Sequence, residues 1–176
     1  LGETAGDMLS MTMHIGYGPS SLILLGLFLV VLIAQLAARR FHPVLYWSVI
    51  IATSTAGTTI SDYMDRTLDL GYAAGSAILV LLLITSLAAW YWREGSLSVS
   101  DIRSFRPELF YWTTILISNT LGTALGDYLA DSSGLGFRDG ALLIGSLLLI
   151  TAFAKFFTRA STVVLFWTAF VLTRPF

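Results

Sequence analysis

One six-residue signature occurs three times in the chain, each time in the same register. It reads Gly2-Glu3-Thr4-Ala5-Gly6-Asp7, then Gly57-Thr58-Thr59-Ile60-Ser61-Asp62, then Gly122-Thr123-Ala124-Leu125-Gly126-Asp127. Each copy is a small-xxx-small step followed at once by Asp. Nine residues after each Asp stands a glycine with an aromatic: Gly16-Tyr17, Gly71-Tyr72 and Gly136-Phe137. Fifteen residues before the second and third Asp stands a tryptophan, Trp47 and Trp112. An internal period of this kind demands a repeat architecture. The acids lie in or at the ends of long apolar stretches, where a charge is costly and usually has a use.

Charged residues make up 12% of the chain and apolar residues 56%, against about 25% charged in ordinary soluble domains. That balance predicts an integral membrane protein. The net charge of −1 supplies no field for nucleic acid, so none is expected as a partner. The absence of cysteine removes disulfides, thiolate metal sites and thiol nucleophiles.

The apolar runs are Ser20–Ala38, Val44–Tyr63, Ala73–Trp92, Leu109–Leu129 and Ala141–Phe157. Each is close to the ~20 residues that a helix needs to cross lipid, and open strand edges are excluded there. Residues 1–14 and 161–176 add two partial spans. The expected fold is therefore all-α: a polytopic bundle of seven segments forming one transmembrane domain over 1–176. Repeat 1 is partial (1–38), repeats 2 and 3 are full (39–93 and 107–157), and repeat 4 is partial (161–176), with a connecting loop at 94–106. The signature glycine comes ten residues after Trp47 and Trp112, and ten after Trp167 lies just past Phe176. The spacing thus predicts a fragment of a longer repeat array.

Bases are distributed unevenly. Arg39, Arg40, Arg93, Arg103, Arg106, Lys155 and Arg159 fall on one side, and Arg66 and Arg138 on the other. The positive-inside rule puts loops 39–42, 93–106 and 155–160 in the cytoplasm of an inner (plasma) membrane. All five tryptophans (47, 90, 92, 112 and 167) share that face, as an interfacial belt would. Each repeat holds two spans, so successive copies insert in one direction, as parallel repeats about an axis normal to the bilayer. Four hairpins would form a pseudo-fourfold ring with equivalent Asp residues at equal depth.

The two-span hairpin, its recurring Trp and its Gly-Thr-x-x-Gly-Asp signature resemble the uncharacterised bacterial membrane proteins built of four tandem two-helix repeats. The resemblance covers the whole chain. It implies this fold and topology and no established activity.

Asp7, Asp62 and Asp127 are the leading candidates for chemistry. Converging carboxylates bind a cation or relay a proton; equally, each can hydrogen-bond a neighbouring helix or cap a helix end. Helical spacing places Asp62, Asp65 and Asp69 on one face, Asp127 with Asp131, and Asp7 with His14. Asp65, Asp69 and Asp131 read as solvated residues near the interface. Oxygen ligands with at most one His suit Mg²⁺, Ca²⁺, Mn²⁺ or Na⁺, with no ligand spacing that identifies a metal and no organic cofactor implied.

Arg174 stands seven residues after Trp167, where the other copies carry Ser54 and Asn119. A contact with Glu3 across the seam of a closed ring is expected, from an axial offset of roughly 6 Å. Thr58 and Thr123 belong to hydroxyl ladders that line a path or bond across helices. The Gly-aromatic pairs are expected to end the signature helices. No hydrolase, zincin or phosphate-loop motif occurs, so an enzyme is not expected. The leading functional expectation is a small transport protein for a cation or protons. The alternative is a non-catalytic structural or assembly subunit, whose partner is another membrane protein or a second copy.

Overall fold

The computed structural model describes residues 2–38, 42–99, 102 and 104–175, with Gly2 and Glu3 described by their backbone alone. Among these residues seven α-helices follow one another: α1 (Gly2–Asp7), α2 (Tyr17–Ala37), α3 (Pro43–Asp62), α4 (Gly71–Glu94), α5 (Phe105–Asp127), α6 (Gly136–Phe157) and α7 (Thr162–Leu172). The protein is a helical membrane bundle, as expected. The helices α2, α4 and α6 are long and apolar enough to cross a membrane. At 20 and 23 residues, α3 and α5 match them in length but carry the Thr, Ser and Asn side chains. The reason is visible in the packing. The even helices expose much of their surface, whereas α3 and α5 are buried along most of their inner faces.

Each signature helix ends in a π-helical turn that begins at the residue after its Asp: Met8–Thr12, Tyr63–Thr67 and Tyr128–Ser132. Such turns are rare and frequently sit at functional sites. Two left-handed residues then reverse the chain in every copy. The first is His14, Asp69 or Gly134, with φ of 55°, 56° and 79°; the second is Gly16, Gly71 or Gly136, with φ of 85°, 72° and 73°. Among residues with a side chain, Asp and His are enriched in this conformation. The Gly-aromatic pairs therefore start the even helices and do not end the odd ones. Asp69 and His14 leave the helical faces on which α-helical spacing put them.

The signature helices are consecutive neighbours: α1 packs on α3, α3 on α5, and α5 on α7. Among the described residues no comparable packing joins α7 to α1. Glycines set the approach. A Cβ on Gly6 would meet Thr59 Cγ2 at 3.0 Å, and one on Gly57 would meet Asn119 Cβ and the Thr120 backbone nitrogen at 3.0 Å. One on Gly122 would overlap Arg174. Gly57 and Gly122 stand at the same place in their copies, and so do Asn119 and Arg174. The same glycine thus seats the same position of the next copy, as small-residue motifs do in membranes.

The even helices pair unexpectedly. Extensive packing joins α2 to α3, α4 to α5 and α6 to α7. By contrast, α3 and α4, consecutive in sequence, meet chiefly where the π turn Tyr63–Thr67 touches α4. Leu24, Phe28 and Leu32, one stripe of α2 at four-residue spacing, pack with Val49, Ala52 and Ala56 of α3 and with Trp112 and Ile115 of α5. Leu79 and Leu83 of α4 pack with Leu121 and Ala124 of α5.

Of the tryptophans expected to form a belt, Trp47 and Trp92 are largely exposed. Trp90, Trp112 and Trp167 are buried. Trp112 lies 5.5 Å from the Tyr46 ring and Trp167 lies 6.5 Å from the Tyr111 ring. Each tryptophan therefore packs on the tyrosine one copy earlier, because the close helix approach brings those ring positions together.

Gly57→Leu is expected to force α3 from α5 and cost roughly 1–3 kcal/mol or more, the usual range for overpacking. A Cβ on Gly26 would meet nothing within 4 Å, so Gly26→Ala should be neutral or gain up to about 1 kcal/mol in helix propensity. Thermal unfolding of the two variants in detergent measures both.

Candidate functional site

The close α3–α5 contact carries a ladder of polar pairs between the second and third copies, two of them at equivalent positions and one offset by a residue. The Tyr46 and Tyr111 hydroxyls are 3.3 Å apart. Asn119 Nδ2 donates to Thr53 Oγ1 at 3.0 Å. The Thr58 and Thr123 hydroxyls lie 3.4 Å apart. From Tyr46 to Asp62 the ladder climbs about 24 Å at 1.5 Å per residue. Lipid offers these groups no partner, so their mutual pairing holds the two helices in register.

At the top of the ladder stand the signature acids. Asp62 is 3% exposed. Arg66, one turn later inside the π turn, places Nε 3.3 Å from Asp62 Oδ1 and Nη2 3.7 Å from Asp127 Oδ2. Its Nη1 donates to the Tyr17 hydroxyl at 3.1 Å, and its Cζ lies 5.7 Å from the centre of the same ring. One guanidinium thereby joins groups from all three copies. Its planar fork suits this task, which a lysine cannot reproduce. Asp127, Asp7 and Asp65 all lie near enough to act electrostatically on Asp62. Among the described residues, Asp62 and Asp127 are the carboxylates that pair with the Arg66 guanidinium.

Arg66 was not among the residues that the sequence singled out. The signal available was its i,i+4 spacing from Asp62. The copies differ there: Met11 and Asp131 occupy the equivalent positions.

Asp65 corrects the expectation of a solvated residue. It is 6% exposed, because the π turn swings its carboxylate onto Gly75 of α4. Asp131 is exposed, as expected. It lines a cavity of 460 Å³ together with Asp127, Thr123, Gly122, Gly126 and Arg174. The Arg174 guanidinium sits 4.1 Å above the centre of the Phe170 ring, and its Nε is buried without a hydrogen-bond partner. The Glu3 side chain lies outside the described residues, and with it the expected Glu3–Arg174 contact. His14 is exposed in its left-handed turn. Among the described residues no three His, Cys, Asp or Glu side chains group to hold a metal.

Removing the fork should leave Asp62 buried without its partner. Arg66→Ala is expected to lower stability by about 1–3 kcal/mol, a half-exposed pair costing less than a fully buried one. Adding Asp62→Asn should recover most of that loss, whereas Arg66→Lys should recover little of it. A double-mutant cycle on the unfolding midpoint reads the coupling.

No curated protein and no solved structure matches the chain. A family profile described as Repeat of Unknown Function matches residues 1–41, 45–96 and 110–161, three tandem segments that each carry one signature Asp and one π turn. These segments span most of the sequence, and the chain belongs to the Repeat of Unknown Function (DUF347) family.

Proposed function

We propose that the protein is a small transport protein of the bacterial inner membrane, moving protons or a cation through the neighbourhood of Asp7, Asp62 and Asp127. The observation that supports this reading is the charge imbalance around Asp62: Asp7, Asp65 and Asp127 act on it, and Arg66 pairs with Asp62 and Asp127. Asp62 and Asp65 are buried, and buried carboxylates short of counter-charge take up positive charge. The polar ladder supplies hydroxyls beneath the acids and leads toward the opposite face. Arg66 serves as the internal counter-charge. A proton or cation on Asp127 weakens the longer of its two ion pairs and leaves the shorter one to Asp62 in place. In this reading loops 39–42, 93–106 and 155–160 face the cytoplasm.

A second reading draws on the same fork. Because Arg66 ties three copies together, the acids can serve as a fixed lock in a non-catalytic subunit that docks a membrane partner or a second copy. Flux assays separate the two. Liposomes holding the protein should pass protons or a monovalent or divalent cation, and Asp62→Asn combined with Asp127→Asn should abolish that flux. Flux that survives the double substitution rejects the transport mechanism. No flux from the unsubstituted protein, with a membrane partner retained through purification, favours the lock.

A further inference from the structure

Asp65 stands apart from the fork. Its Oδ2 accepts from the Ser61 hydroxyl at a long 3.4 Å, and its Oδ1 is buried with no hydrogen-bond partner among the described residues. That oxygen rests on Gly75 of α4, where any Cβ would overlap it. The hydroxyl of Ser76, the next residue, is also buried and unpartnered. Arg66 adjoins Asp65 in sequence but directs its nitrogens to Asp62, Asp127 and Tyr17.

An ionised carboxylate so placed forfeits water and receives one weak hydrogen bond, a state that buried acids escape by taking up positive charge. A metal ion fits poorly. One carboxylate and two hydroxyls fall short of the six or more oxygens that hard cations take, and Gly75 closes the space beside Oδ1. A proton needs no such room.

We propose that Asp65 is a proton-binding carboxyl, held in its acid form between Ser61 of α3 and Gly75-Ser76 of α4. The proton adds to a carboxylate oxygen from water at the π-turn end of the bundle and leaves by the same bond. This inference rests on the transport reading and deepens it, naming the proton as the bound species and Asp65 as its seat. The other titratable or charged groups around this region, among the described residues, are Asp7 on α1, Tyr17 on α2, Asp62 on α3, Arg66 in its π turn, Tyr72 on α4, Asp127 on α5 and Asp131 in the π turn after it.

The copies support a dedicated site. Asp65, Ser61 and Ser76 correspond to Ala130, Gly126 and Ala141 in the third copy, where all three positions lose their polar groups together. In the first copy they correspond to Ser10, Gly6 and Ser21. Ser10 there donates to the Gly6 carbonyl at 2.9 Å, and Ser21 bonds the Tyr17 and Thr59 carbonyls at 2.7 Å. Only the middle copy, which also carries Arg66, combines an acid with two flanking hydroxyls.

Infrared spectroscopy of the full chain in lipid at neutral pH tests the assignment. A protonated-carboxyl carbonyl band is expected, absent from Asp65→Asn, retained in Asp62→Asn and shifted in Ser76→Ala. Stability gives a second measurement. A group that binds its proton more tightly when folded stabilises at low pH, and this contribution fades as pH rises through the folded-state titration. The wild type should therefore lose stability on that rise by more than Asp65→Asn. No band in the wild type, or a band unchanged in Asp65→Asn, overturns the proposal. A band without flux would leave this site standing and remove the transport reading, whereas flux without a band would do the reverse.

Discussion

The close approach of consecutive signature helices is the constraint on which the other features rest. Lipid gives no hydrophobic drive for helices to associate, so they meet through surface fit and polar pairing. Gly57 lets α3 reach the backbone of α5 at Thr120, and Gly122 does the same toward Arg174. At that separation side chains at equivalent or adjacent positions of two copies touch. Hydroxyls and amides that would be costly against acyl chains then satisfy one another. The same approach brings Asp127 within reach of an arginine anchored on Asp62.

The π turns decide what the acids can do. A continued α-helix would carry Asp62, Asp65 and Asp69 down one face. The wider turn separates them: Asp62 goes to the arginine fork, Asp65 onto Gly75, and Asp69 into a left-handed reversal. Carboxylates only a few residues apart thus occupy three different electrostatic settings. Arg66 lies within the turn, which allows a residue one turn past Asp62 to reach Tyr17 and Asp127 as well.

Much of this was legible in the residues. Apolar runs gave the helices to within a few positions, and the in-register signature predicted that Asp7, Asp62 and Asp127 would gather. What escaped detection has physical reasons. A π turn is a change in hydrogen-bond register and leaves the apolar pattern almost untouched. Arg66 counted as an outer loop base because its neighbours in sequence are polar, while its partners come from helices far away along the chain. Asp65 read as solvated because nothing local announces that Gly75, on another helix, will cover it. Trp112 and Trp167 looked like interfacial anchors, but rings near a membrane surface can also pack inward when a preceding copy presents a tyrosine.

The offset pairing of the even helices separates two kinds of unit. The segment that recurs in sequence holds α3 with α4, or α5 with α6, yet the surfaces that fit are α2 with α3, α4 with α5 and α6 with α7. Duplication and packing are therefore out of phase by one helix. During synthesis an even helix must wait in the bilayer for a mate that has not yet emerged. Once assembled, the hairpins interlock like links in a chain, and none can be lifted out without stripping the one beside it.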